Sequence, residues 1–170
     1  YTVRDAIEDL EDVDAITDVA ADVGIQLKHK SVGELATILR DSSTLYNHVI
    51  TKTTDVAMER FKALKQGQNF HALSEELKTN TYTDVTRTQN TIYLRLNYDE
   101  PSGTVVNVRK SMWVHPTQNR AISVREAARL QDFPESFIPN KIDQQAYKQF
   151  GNAVNVKVIE YMARQLFKLK

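Results

Sequence analysis

The 170-residue sequence contains no cysteine. That excludes a disulfide, a thiolate metal site and a cysteine nucleophile. Glycine is scarce, and Gly24, Gly33, Gly67, Gly103 and Gly151 stand far apart. Neither a G-x-G-x-x-G turn nor a G-x-x-x-x-G-K-[ST] phosphate loop can be built from them. No apolar run approaches about 18 residues, so no membrane-spanning helix is expected. The start shows no signal-peptide pattern, and Tyr1 stands where an initiator Met would be, as in a trimmed piece of something longer. The four histidines (His29, His48, His71, His115) include no i, i+4 ligand pair, which argues against a metal site. His115, before Pro116, reads as a turn residue. No G-x-S-x-G nucleophile elbow occurs either. Taken alone, the chain shows no complete active site.

What is present is ordinary for a globular chain: 41% hydrophobic and 26% charged residues, enough for one domain or slightly more. The net charge of zero hides an asymmetry. Asp5, Glu8, Asp9, Glu11, Asp12, Asp14, Asp18 and Asp22 crowd the first 22 residues against Arg4 alone. Residues 78–129 carry eight Lys or Arg against four acids. A basic middle points to a polyanion partner or to a plain solvated surface.

Periodicity predicts helices over 3–10 (Val3, Ile7, Leu10), 31–40 (Leu35, Ile38, Leu39) and 53–67, where Val56, Ala57, Arg60, Phe61 and Leu64 share a face and Gly67 marks the stop. A further short helix is expected over 71–78. "TIYLRL" (91–96) and "TVVNV" (104–108) alternate and are β-branched, with turn chemistry between them, which predicts two strands of a small sheet. The C-terminal "NAVNVKVIEYMARQLFKL" returns to helical period, with Val154, Val158, Met162 and Leu166 four apart and Ile159 and Ala163 beside them. The expected class is α+β: a small mixed domain with a short sheet and several helices, plus a C-terminal helix.

The stretch "SVREAARLQDFPESF" (123–137) is a short helix with a capping box, Ser123 and Glu126, and a stop at Pro134. Arg125 and Arg129 lie one turn apart on it. Such a pair suits a solvated face, an anchor for carboxylates elsewhere in the fold, or a phosphate contact.

This stretch, with "AYKQFGNAVNVKV" after it, closely resembles the last two signature motifs of the cytosine-5 DNA methyltransferases. Arg120, Ile122, Ser123, Arg125 to Gln131, Phe133 and Pro134 match the R-x-L-T-x-R-E-A-A-R-L-Q-x-F-P block. Gln149, Gly151, Asn152, Ala153 and Val154 match Q-x-G-N-[AS]-V. "RLNYDEPSGTVV" resembles the R-L-x-x-x-x-P-S-x-T-[IV] element of the target-recognition region, and "TVRDAIEDL", "NHV" and "MERFKALKQGQNF" resemble the stretch that opens it. One departure is Asn155-Val156, where the family has a proline or small hydrophobic residue. The resemblance covers the whole chain but only the C-terminal half of such an enzyme. The methyl-donor loop, the Pro-Cys nucleophile and the Glu-Asn-Val element have no counterpart.

The resemblance implies a division into an acidic helical lead-in (1–24), a target-recognition domain (25–137) and a C-terminal segment (138–170) that docks on the methyl-donor domain. It implies that Arg120, Arg125, Glu126, Arg129, Gln131, Pro134 and Gly151 brace the fold. Thr104 would contact the backbone of a flipped nucleotide, and Asn152 and Ala153 would close over S-adenosylmethionine. Base readout would come from loops over 80–120, where Arg87, Gln89, Asn90, Arg95, Asn107, Arg109 and Lys110 offer donors. The implied partners are double-stranded DNA and the missing N-terminal catalytic half, with self-association through the C-terminal helix when that half is absent. The implied place is the cytoplasm, on DNA. With no thiol to add at carbon 6 of cytosine, the chain alone is expected to be inactive. The alternative is a non-catalytic DNA-binding or regulatory subunit of a split methyltransferase, and a third reading is a purely structural fragment.

Overall fold

The computed structural model describes residues 1–18, 22–28, 33–79, 88–139 and 143–167, with only the backbone at 143, 144 and 156. Helix α1 (Val3–Ile7) opens with a capping box, Thr2 and Asp5 bonding each other's backbone N–H, and a 3-10 turn (Glu8–Leu10) continues it. Two of its leading N–H groups have tertiary partners: Val3 donates to the Glu100 carbonyl and Arg4 to that of Tyr98, both at 2.9 Å. Those bonds lay the 98–100 turn across the start of the helix.

Helix α2 (Glu34–Leu39) packs on α1, burying Leu35, Ala36 and Leu39. Ile38, expected on the same face, is exposed. On either side of α2 run β1 (Ile25–Gln26) and β2 (Thr44–Leu45), antiparallel, with Ile25 opposite Leu45 and Gln26 opposite Thr44. Gly24 precedes β1 at φ +83°, and a Cβ there would sit 2.7 Å from both Thr44 and Tyr46 side chains. Only glycine fits.

Helix α3 (Asp55–Ala63) is capped by Thr54 and followed by a 3-10 turn (Phe70–Ala72) and α4 (Glu75–Lys78). Val56, read as core, faces solvent, while Ala57, Phe61, Leu64, Phe70, Leu73, Tyr93 and Val114 form a separate cluster. Arg60 serves this unit from inside. It donates to the Leu77 carbonyl at 2.7 Å and to the Tyr93 hydroxyl at 3.1 Å, so the end of α4 is fixed to α3.

The expected strands at 91–96 and 104–108 do not form, and the short sheet lies at β1–β2 instead. The reason is local at both places. Tyr93 takes φ +54°, which breaks extended pairing, and only Arg95 makes a lone bridge to Val114. In the second stretch the Asn107 side chain accepts from the Lys110 N–H and caps α5 (Val108–Ser111). The alternation remains visible, since Val105 is buried and Val106 exposed. What Val105 faces is not a strand.

Helix α6 (Val124–Arg129) keeps its capping box, and every residue on it is buried. Helix α7 (Asp143–Asn152), which the periodicity did not single out, buries Ala146, Tyr147 and Phe150 against α6. Helix α8 (Val156–Phe167) begins later than expected, with Asn155 as its cap: the Asn155 Oδ1 accepts from the Val158 N–H at 3.0 Å. The largest core cluster draws on α1, α2, the 96–113 segment, α6 and α7, with Trp113 at its centre. It therefore spans all three of the expected segments. No described helix is long and apolar enough to cross a membrane.

Phe61 is fully buried and leans on Tyr93 with ring centroids 5.8 Å apart. Replacing it with Ala should lower stability by about 3–5 kcal/mol, the range for deleting a buried aromatic. Chemical denaturation of the two proteins measures this directly, and a loss below about 1 kcal/mol would mean that the second cluster adds little.

Candidate nucleic-acid and cofactor interface

The helix with two arginines turns both of them inward. Arg129 donates from Nε to Glu135 Oε1 at 2.6 Å and from Nη1 to the Ala6 carbonyl at 3.0 Å, and it also pairs with Asp9. Arg125 reaches the carbonyls of Tyr46 (2.9 Å), Pro134 (3.0 Å) and Phe137 (3.0 Å), with Glu135 Oε2 3.3 Å from its Nε. Both side chains are completely buried, so neither can reach a phosphate. The helix ends at Arg129, short of the stop expected at Pro134, and Asp132 at φ +61° turns the chain so that the Pro134 and Phe137 carbonyls meet Arg125.

The opposite edge of α6 carries a second buried cluster. Arg120 grips Glu126 with two hydrogen bonds, 2.7 and 2.8 Å long, and Ser123 N–H adds a third at 2.6 Å. Burial alone would raise the Glu126 carboxyl, but the Arg120 charge and its hydrogen bonds hold it well below the usual carboxylate range. His48 and His115, 67 residues apart in sequence, meet the same capping box, His115 Nε2 lying 3.7 Å from Glu126 Oε1 and His48 bonding Ser123. Burial pushes both imidazoles down, His115 to about 4. The hydrogen bonds agree: His115 Nδ1 accepts from the N–H groups of Thr117 and Gln118, so it must stay deprotonated. His48 donates from Nε2 to the Val13 carbonyl, which leaves Nδ1 to accept from the Ser123 hydroxyl.

Beyond α6 the chain forms the exposed face. Thr104 is exposed in an extended stretch, followed by half-buried Arg109 and exposed Lys110 on α5, and α5 packs against α7. At the end of α7, Gly151 touches that stretch: a Cβ on it would lie 2.7 Å from the Val106 carbonyl carbon and 2.8 Å from its oxygen. Gln131 joins the same two pieces, its amide nitrogen 3.4 Å from the Val105 carbonyl and 3.2 Å from that of Phe150. Asp132, next in sequence, accepts from Asn155 Nδ2 at 2.6 Å and so fixes the start of α8. Asn152 is the last residue of α7 and exposed, and Ala153 is half-buried in the turn to α8. A groove of about 280 Å³ opens beside this turn, between Thr2, Leu35, Pro101, Asp132 and Val158.

The structure thus gathers Thr104, Lys110, Asn152, Ala153 and Gly151 around one contact. It removes Arg95 from any list of base readers. Arg95 is buried, and its guanidinium donates to the carbonyls of Phe61 (2.6 Å), His115 (2.8 Å) and Gln118 (2.9 Å) and to Asn119 Oδ1 (2.7 Å). Asn107 has its side chain engaged as a helix cap. Gln89 and Asn90 are exposed, away from elements of regular structure, and Arg87 lies outside the described residues. Among the described residues no group of His, Asp or Glu is placed to hold a metal ion. Sequence reasoning missed the Glu126–His48–His115 convergence and the Gln131 bridge. Neither has a spacing signal, because each joins residues far apart in the chain.

A family model described as C-5 cytosine-specific DNA methylase matches residues 7–168. The type II methyltransferase M.DdeI of Desulfomicrobium norvegicum is 29% identical over 141 residues, covering 75% of this chain and 34% of that protein. The type II methyltransferase M1.HphI of Haemophilus parahaemolyticus is 31% identical over 131 residues, 76% of this chain and 33% of the relative. A crystal structure described as a DNA modification methyltransferase encoded within an E. coli prophage superposes with a TM-score of 0.68 at 23% identity, over 98% of this chain and 46% of its own. That likeness is one of fold. The chain spans about a third of the length of these curated relatives.

Two expectations follow from the buried charges. Arg129→Ala should destabilise the protein by about 3–5 kcal/mol, because buried Asp9 and Glu135 lose their nearest counter-charge and keep only the more distant Arg40 (3.9 Å) and Arg125 (3.3 Å). Equilibrium unfolding tests it, and a cost under about 1 kcal/mol would mean that water or Arg40 replaces the lost partner. Acid should act in two stages. The histidines are held below their ordinary 6.5, so the unfolded chain binds protons first, and stability falls as pH drops below about 6.5. His115 alone contributes about 1.4 kcal/mol per pH unit until its folded value near 4 is reached. Glu126 is held below its ordinary 4.5, so its contribution, intact at neutral pH, is lost below about 4.5. Unfolding midpoints at pH 7.5, 6 and 5 should decline in that order, and a flat profile would rule the cluster out as the cause.

Proposed function

Because the chain belongs to the C-5 cytosine-specific DNA methylase family, we propose that it is the C-terminal half of a DNA (cytosine-5)-methyltransferase. In this reading it grips double-stranded DNA and closes the S-adenosylmethionine site of a catalytic half. The observation that carries it is a family match over nearly the whole chain, in a chain that matches only about a third of its methyltransferase relatives.

The roles are those that the family resemblance implies. Residues 1–24 lead in from the catalytic domain, 25–137 handle the target, and 138–170 dock on the methyl-donor domain. A cytosine inside a duplex hides the atom to be methylated, so the enzyme must turn it out of the stack. Exposed Thr104 suits a contact with the nucleotide backbone there, and Lys110 and Arg109 on α5 supply charge for phosphates. S-adenosylmethionine, when bound, supplies the methyl group as an electrophile. Asn152 and Ala153, at an outward-facing turn, fit the closing of one edge of its site. The thiolate that activates cytosine has to come from the other half, since this chain has no cysteine.

Helix α8 fits the docking role. Val158, Met162 and Leu166 are 53%, 51% and 75% exposed, and Ile159 lies beside them. Fully burying each such side chain is worth roughly 1.5–3 kcal/mol, which favours a covering partner or a second copy when the catalytic half is absent.

Mixing the chain with a separately produced catalytic half should restore transfer of labelled methyl groups to unmethylated plasmid DNA, while either part alone should give none. Met162→Lys with Leu166→Lys should abolish the restored activity and leave the circular dichroism of the chain unchanged. Methyl transfer by the isolated chain would overturn the reading, and so would full activity with the double variant.

A further inference from the structure

We propose that Gln131 and Gly151 form a positioning bridge that couples DNA contact at Thr104 to closure over the methyl donor at Asn152 and Ala153. The inference rests on the functional reading above and goes beyond it by naming the residues that make one site sense the other.

The stretch 104–107 belongs to no sheet among the described residues, so a backbone ladder does not fix its distance from α7. Two other contacts do. The Gln131 amide carries two N–H donors, and it offers them to the Val105 carbonyl on one side and the Phe150 carbonyl on the other. Gly151 then lets the two backbones meet at a separation no side chain would permit, as a Cβ would stand 2.7 Å from the Val106 carbonyl carbon. Thr104 lies one residue before the first bridged carbonyl, and Asn152 two residues after the second.

The α7 arm is held from both sides. On the α7 side, Phe150 is locked against Phe133 and Phe137, with ring centroids 4.9 and 6.0 Å away. The turn beyond is held by the Asp132–Asn155 bond. A shift of the 104–107 stretch toward a bound nucleotide therefore pulls on the Gln131 amide and presses on Gly151, and both lead to the turn that carries Asn152. Gln131 touches neither ligand in this arrangement. It acts through other residues, and its effect is a coupling between the two sites.

The test uses the enzyme reassembled from this chain and the catalytic half. The affinity for S-adenosylhomocysteine is measured with and without saturating unmethylated plasmid DNA. In the unaltered enzyme, DNA should tighten that binding by about tenfold, within the usual range for coupled sites. Gln131→Leu should reduce the tightening to less than about twofold, while each ligand alone binds within about threefold of normal. It should lower kcat by about tenfold with little change in KM for S-adenosylmethionine. Gly151→Ala should give the same loss by the other contact, and Gln131→Lys, which keeps amine donors at that position, should recover much of the coupling. Unfolding midpoints of all three check that they fold. The proposal is overturned if the unaltered enzyme shows no tightening, or if Gln131→Leu and Gly151→Ala keep it. A loss of each ligand's own affinity in proportion to lost stability would also overturn it, because that marks a purely structural role. Failure of the underlying reading looks different: Thr104→Ala and Asn152→Ala would then leave DNA and donor binding untouched.

Discussion

Two guanidinium groups on one short helix, both stripped of water, impose the arrangement of most of this chain. A buried arginine is tolerable only when oxygen atoms surround it, and α6 carries two, four residues apart. Arg129 draws in Asp9 and the Ala6 carbonyl from the N-terminal turn, and Glu135 from beyond the helix. Arg125 draws in the carbonyls of Tyr46, Pro134 and Phe137. Three stretches that share no secondary structure are thereby fixed to one helix. Such pairs add little net stability, since desolvation offsets much of the attraction. Their effect is specificity, because any packing that left one of these charges unpaired would be far worse.

The same constraint accounts for the charge asymmetry. The acidic lead-in and the basic middle suggest separate partners when read along the chain, yet much of each is neutralised by the other or by backbone carbonyls. Asp9 meets Arg129, and Arg120 meets Glu126 across a capping box. Glu11 accepts from the Tyr98 hydroxyl, and its carbonyl from Gln118. Arg95 closes the 115–120 loop by hydrogen bonds to its carbonyls. Among the described residues, the positive charge that remains outward in the middle of the chain is therefore concentrated near α5. That is a smaller and more local basic surface than the composition of residues 78–129 implies.

Function enters where α6 stops. Gln131 and Asp132 emerge from the rigid arginine-held helix and hold, in turn, the Val105 and Phe150 carbonyls and the Asn155 amide. The 104–107 stretch and the turn after α7 are thus mounted on one support, with helix α8 leaving it apolar face outward. A site assembled this way has its precision set by the core, while the residues that would touch ligands stay on the exposed edge.

The sequence alone determined the local devices and the family. The capping box at Ser123, the amphipathic period of α8 and the two motif blocks are written in short spacings, where helix geometry makes neighbours in sequence neighbours in space. The α+β class was also legible, but the sheet was not, since alternation at 91–96 and 104–108 signals one buried face without saying what covers it. Tertiary structure decided that Val105 enters the main core while its carbonyl takes the Gln131 amide, that Arg95 points inward, and that His48 and His115 gather at the Ser123–Glu126 capping box. Each of those outcomes joins groups beyond the reach of helix or strand spacing, which meet at a buried oxygen or nitrogen. Desolvation settles that competition only once the chain has closed around it.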